Sequence, residues 1–203
     1  MSFIKAQAFQ DGHAGYSDPL DEQTFVVTLI NFLQQQPTWK STAVIVMYDD
    51  SDGWYDHQMG PIVNTSSGSP DFLTGIGLCG NPATALPGVD AANTHALGRC
   101  GYGPRQPLLV ISPWAKQNFV DHSVTDMTSP LRFIEDNWLG SQRIGQGSFD
   151  SIANSITQMF DFKNGAGGNG NKLILDPATG QPANGNGNGN GNENGNENEN
   201  GDH

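Results

Sequence analysis

Positive charge is scarce in this sequence. Nine Lys and Arg stand against 21 Asp and Glu, a formal charge of −12 at pH 7. The nine cations are scattered singly, so no basic stripe exists to neutralise phosphates, which excludes nucleic acid and anionic membrane surfaces as partners. Long apolar runs are also missing: no stretch is long enough to span a bilayer, which excludes stable membrane insertion by a helix, and the chain does not open with a basic-then-apolar leader. It opens MSFIKAQAFQDGHAG, which reads like the middle of a domain. Cysteine is limited to Cys79 and Cys100, too far apart for a Cys-x-x-Cys metal or redox motif. The two bracket a segment rich in Gly, Pro and Ala, and are read either as a disulfide closing that loop or as two unpaired thiols. A disulfide would place the protein outside the reducing cytosol, periplasmic or secreted.

What is present is centred on Thr42 to His57, TAVIVMYDDSDGWYDH. The apolar, β-branched run Ala43 to Met47 is too short for an ordinary helix and predicts a fully buried strand, with Asp49 and Asp50 at its carboxyl end. Ligands bind at that end of the strands in open α/β sheets, and two adjacent acids there suit a metal. Asp-Asp-Ser-Asp-Gly is equally a good turn sequence. The continuation Gly53-Trp54-Tyr55-Asp56-His57 adds a tight bend, two aromatics and an Asp-His pair, more than a turn requires.

Upstream, His13 lies among glycines in Asp11-Gly-His-Ala-Gly-Tyr-Ser-Asp-Pro19, on a loop with no apolar face to fill; a merely solvated histidine is the alternative. Acids in the first turn and Phe25, Leu29, Phe32 and Leu33 at three-and-four spacing predict a helix over 21–36, ended by Pro37. Helix followed by strand points to a layered α/β domain. Residues 58–103 read as a long irregular insertion, a wall or lid over a site, with His95 as a surface histidine. A second buried strand is expected at Pro107 to Ser112, stopped by Pro113, and a short extended piece over Asn118 to Ser123. Ser129 is expected to cap a helix over LRFIEDNW with Pro130 at its first position, and Ser148 a helix through about Phe160 whose inward stripe is Ile152, Ile156, Met159 and Phe160. Residues 183–203 are Gly-Asn-Glu repeats that cannot offset their own ordering entropy.

Five segments in order, Asp11 to Pro19, Tyr48 to His57, Gly103-Pro-Arg-Gln-Pro-Leu-Leu-Val-Ile-Ser-Pro-Trp114, Thr128-Ser-Pro-Leu-Arg-Phe-Ile-Glu135 and Leu173-Ile-Leu-Asp-Pro-Ala-Thr-Gly-Gln-Pro182, resemble the carboxyl-terminal part of the bacterial phosphoesterase family of acid phosphatases and phospholipases C. The acid phosphatase branch is the nearest. The resemblance implies an alkaline-phosphatase-like α/β/α sandwich, here incomplete, with residues 1–162 as the carboxyl-terminal part of the catalytic domain, 163–182 as an irregular family tail and 183–203 as a disordered tail. It implies hydrolysis of phosphate esters, monoester or phospholipid headgroup, with a divalent metal (Mg, Mn, Ca or Zn) as cofactor.

Carried over by position, Asp49 and Asp50 match the family's carboxylate metal ligands, and His13 matches a histidine facing the substrate phosphoryl group. His57 and His122 match recurrent positions and are candidates for catalysis and substrate binding respectively, although orienting a neighbour or holding a loop is equally open. Where many relatives read Asp-His-Thr-Ser, this chain has Asp126-Met127-Thr128-Ser129. The family's Glu-Asn-Arg-type metal-ligand segment and its serine or threonine nucleophile have no counterpart here. The expectation is therefore a hydrolase half-site whose partner is the missing amino-terminal half. The alternative is a catalytically inactive fragment or a binding module.

Overall fold

The computed structural model of the 203-residue chain describes residues 1–51, 56–58, 60, 102–145, 148–163 and 172–183. Cys79, Cys100 and His95, with most of the 58–103 insertion, lie outside the described residues, as do Gly53, Trp54 and Tyr55.

Helix α1 spans Pro19–Gln35. It begins two residues before the expected Asp21, because Asp18 is the N-cap: its Oδ1 accepts the Leu20 N–H at 2.7 Å, and Pro19 sits where its missing N–H is not needed. Strands β1 (Val44–Met47) and β2 (Leu108–Ile111) pair antiparallel, with Val44 opposite Ile111 and Met47 opposite Leu108. Side chains alternate between the faces of this ribbon. On one face Ile45 and Val110 pack against a core of Phe133, Ile156 and Phe160, joined by Trp114 and Met159. On the other, Val46 and Leu109 line a cleft of about 270 Å³ with Val26 and Val27 of α1. The described residues thus form a small antiparallel sheet with helices, consistent with an α/β phosphoesterase domain. The strands are half-buried rather than fully buried, with Leu109 in the middle of β2 55% exposed.

Helix α2 spans Ser129–Trp138. Thr128, not Ser129, is its N-cap residue. Ser129 is fully buried and its hydroxyl accepts the Asp126 N–H at 3.0 Å, while Asp126 Oδ1 takes the Thr128 N–H at 2.7 Å. The helix expected from Ser148 to Phe160 is two separate 3-10 turns, Phe149–Ser151 and Ile156–Met159. Ser155 causes the break. Its backbone is extended and its hydroxyl accepts the Thr157 N–H at 3.2 Å, a local bond that competes with the helical ladder. The Ala153 carbonyl freed by the break accepts from Arg132 Nη1. Of the expected stripe, Ile156 and Phe160 are buried as anticipated. The piece around Asn118 to Ser123 ends in an Asx turn, Asp121 Oδ1 accepting the Ser123 N–H at 2.9 Å, and forms no strand.

The buried face of α1 also departs from expectation. Phe32 is 58% exposed, whereas Gln34 is 3% exposed. The cause is the segment 172–183, which folds as a hairpin against the helix. Gln34 Nε2 donates to Leu173 O at 2.9 Å and Gln34 Oε1 accepts the Leu173 N–H at 2.7 Å. One turn earlier, Asn31 Nδ2 donates to Leu175 O at 2.7 Å and its Oδ1 accepts the Leu175 N–H at 3.2 Å. Two carboxamides spaced three apart on a helix thus pair with alternate residues of an extended segment, as an adjacent strand would. Nearer the helix start, Gln23 Nε2 and Thr24 Oγ1 both donate to Pro177 O, at 3.2 and 3.3 Å.

At the far end of α2, Glu135 and Asp150 are buried together. Arg143 Nη1 lies 3.1 Å from Glu135 Oε2, and Nη2 lies 2.6 Å from Asp136 Oδ1. Burial, then the neighbouring Asp150, pushes the Glu135 carboxyl above its ordinary value. Burial also acts to raise Asp150, but donors from Ser148, the Ile144 N–H and Glu135 outweigh it and hold Asp150 below its ordinary value. A raised carboxyl stabilises the fold fully below its ordinary value of 4.5, and that contribution is lost as pH rises through the folded value. A depressed one contributes above 3.8 and is lost as pH falls through its folded value. Glu135→Gln keeps the shape of the side chain and does not titrate. Thermal unfolding followed upward from pH 4.5 should show wild type losing stability that Glu135→Gln retains; parallel curves would show that Glu135 does not titrate above its ordinary value.

Candidate metal and phosphate site

The turn that leaves β1 is held at several points. The Tyr48 hydroxyl donates to Glu22 Oε1 on α1. Burial, followed by that bond, pushes the Tyr48 phenol up to about 12. The Gln106 side chain, turned so that its amide oxygen meets a donor, donates to Asp50 O at 3.0 Å and Tyr48 O at 3.3 Å and accepts the Ser51 N–H at 3.2 Å. Arg105 Nε donates to Asp56 Oδ2 at 2.7 Å. The Asp56 carboxyl is held below its ordinary value by the Gln58 N–H first and by Arg105 second. The Gly103-Pro-Arg-Gln segment ahead of β2 therefore braces the stretch from Tyr48 to Asp56 near both ends.

Asp49 and Asp50 are exposed at the carboxyl end of β1. Lys5 Nζ lies 2.7 Å from Asp49 Oδ2. That hydrogen bond, ahead of nearby backbone donors, holds Asp49 below its ordinary value.

His13 sits on a loop built by its own polar residues. Asp11 Oδ1 accepts the His13 N–H at 3.0 Å, Ser17 Oγ accepts the Gly12 N–H at 3.1 Å, and the His13 carbonyl accepts the Ser17 N–H at 2.8 Å. The ring is stacked on Tyr16 with centroids 3.9 Å apart. Its Nδ1 accepts the Gly15 N–H at 2.9 Å. In the neutral ring the proton must then lie on Nε2.

The structure joins this loop to the aspartates. The Gly12 backbone stands against the Glu22 carboxylate, whose other oxygen takes the Tyr48 hydroxyl, and Lys5, on Asp49, also feels the charge of Asp11. His57 and His122 stay outside this set of contacts. The His57 side chain is fully exposed with its Nδ1 3.8 Å from Asp56 Oδ1, and His122 is exposed on the Asp121 turn. Lys5, Glu22, Arg105 and Gln106 were not singled out as site residues from sequence. Arg105 and Gln106 lie inside a segment that carries the family resemblance, which was the available signal.

The phosphoesterase family model matches residues 1–139. The chain is 30% identical over 173 residues to a non-hemolytic phospholipase C of Pseudomonas aeruginosa, covering 81% of this chain and 23% of that protein. It is 36% identical over 112 residues to a non-hemolytic phospholipase C of Burkholderia pseudomallei, covering 55% and 15%. It is 26% identical over 165 residues to phospholipase C A of Mycobacterium tuberculosis, covering 80% and 29%. The chain belongs to the phosphoesterase family, a family of hydrolases. It spans less than a third of the length of these relatives. They are named as phospholipases C, and none of the three carries the acid phosphatase name.

The donor set fits a hard divalent cation in kind. Asp49 and Asp50 are adjacent carboxylates, and Asp49 already holds a cationic group, the Lys5 ammonium. In number the set is incomplete: among the described residues no three His, Cys, Asp or Glu side chains converge as a metal-binding group. No helix among the described residues is long and apolar enough to cross a membrane.

Proposed function

We propose that this chain contributes the two-aspartate side of a metal-assisted phosphoesterase site, acting on a phosphate monoester or a phospholipid headgroup. The observation that supports the reading is Asp49 at the carboxyl end of β1 with the Lys5 ammonium 2.7 Å away, an ammonium that also feels the charge of Asp11 in the His13 loop. Asp49 and Asp50 would hold a divalent cation, displacing Lys5. Bound there, the cation would neutralise charge on the phosphoryl oxygens and lower the pKa of a hydroxyl nucleophile. His13 would donate from Nε2 to a phosphoryl oxygen or protonate the leaving group. Arg105 and Gln106 would keep the Tyr48–Asp56 stretch in place while charge develops.

The remaining ligands and the nucleophile belong, on this reading, to a family segment outside these 203 residues, whether in a longer chain or a separate one. The alternative is a catalytically inactive fragment or a binding module. The Cys79 and Cys100 pair in the sequence supports a periplasmic or secreted location. The test is p-nitrophenyl phosphate hydrolysis by the purified chain near pH 6 with added Mn²⁺, beside Asp49→Ala/Asp50→Ala. The half-site reading expects no turnover from either. Turnover by wild type that the double variant abolishes would mean a complete site and overturn the half-site.

A further inference from the structure

We propose that Glu22 is the positioning residue that locks the His13 loop to the Asp49–Asp50 turn. Its importance for phosphate chemistry rests on the reading above, but the coupling itself is a statement about the fold.

One carboxylate serves two segments that are far apart in the chain. Glu22 Oε1 accepts the Tyr48 hydroxyl, one residue before Asp49. Glu22 Oε2 faces Gly12, one residue before His13: a Cβ built on Gly12 would stand 3.0 Å from Oε2 and 3.1 Å from the carboxyl carbon. Gly12 also has φ +86°, a conformation that L side chains rarely adopt. Only glycine therefore lets the loop both turn and rest on the carboxylate.

The other supports of Glu22 are rigid. Its N–H donates to Asp18 O at 3.1 Å within the first turn of α1, and its neighbours Gln23 and Thr24 are held by the Pro177 carbonyl. Tyr48 is gripped at its other end by Gln106. Glu22 thus stands between two braced elements, touching Gly12 beside His13 and Tyr48 beside Asp49. A side chain that only capped the helix would need neither contact.

The test uses the full chain and two substitutions, Glu22→Ala and Glu22→Gln, with Tyr48→Phe as a second route should Glu22→Ala fail to fold. Nuclear magnetic resonance follows the His13 ring and the Lys5 side chain that reports on Asp49. Glu22→Ala and Tyr48→Phe should each shift both reporters, and Glu22→Gln, which still accepts from Tyr48, should restore them. Movement of one reporter without the other, or equal disruption by Ala and Gln, would overturn the proposal. A second arm measures binding of Mn²⁺ with inorganic phosphate, which Glu22→Ala should weaken by about 10- to 100-fold, as loss of a group orienting metal ligands does. If wild type binds neither, the phosphoesterase reading of the site fails, and the two resonance reporters still decide the role of Glu22.

Discussion

Ile156→Ala should cost the fold about 3 kcal/mol, within the roughly 2–5 kcal/mol span for truncating a large aliphatic side chain in a core. Ile156 is 0% exposed and packs with Phe133 and Phe160, the two rings stacked at 5.2 Å. The same cluster reaches Ile45 on β1 and Val110 on β2, so it joins the sheet to α2 and to the 3-10 turn that carries Ile156. The stacked rings cannot collapse into the space an alanine leaves without giving up contact with the strands. A loss of this size is a large part of the roughly 5–15 kcal/mol of an ordinary domain. Leu109→Ala is the internal control. Leu109 is as apolar but 55% exposed on the opposite face of the sheet, and should cost well under half as much. Urea unfolding of both variants checks this. Equal losses would mean that the core does not sit on the α2 side.

Much of the local structure was legible because it is set by neighbours in the chain. The acids Asp21 and Glu22 mark the first turn of α1, although the cap at Asp18 starts it two residues earlier than expected, and the short β-branched runs mark β1 and β2. The inward face of α1 was not legible. Periodicity selects Phe25, Leu29, Phe32 and Leu33, but the buried residues are Val27 and Gln34, the latter because its partner is the backbone of Leu173, 139 residues away. No local pattern shows that a glutamine will be satisfied by a distant strand. The helix expected over 148–160 failed for the opposite reason: the apolar spacing was real, and Ile156 and Phe160 are buried, but Ser155 supplies a bond that breaks the ladder.

The site divides in the same way. Asp49, Asp50 and His13 are candidates because their residue types and motif context carry chemistry. Glu22 looked like one more acid in a helix first turn, and Gln106 like part of a Pro-rich lead into a strand. Their roles exist only once β1, α1 and the loop after Phe9 are brought together. Lys5 shows this most sharply, because a cation 44 residues before Asp49 has no sequence signature of its function.

The account stands or falls on whether Asp49 and Asp50 take a divalent cation. The measurement is calorimetric titration of the folded chain with Mn²⁺, with and without inorganic phosphate, beside Asp49→Asn/Asp50→Asn. Two carboxylates with a competing Lys5 should bind one Mn²⁺ weakly, phosphate should tighten it, and the double variant should lose that binding by at least about 100-fold. Binding of the same stoichiometry and strength in the double variant would contradict the assignment of the metal to this end of β1.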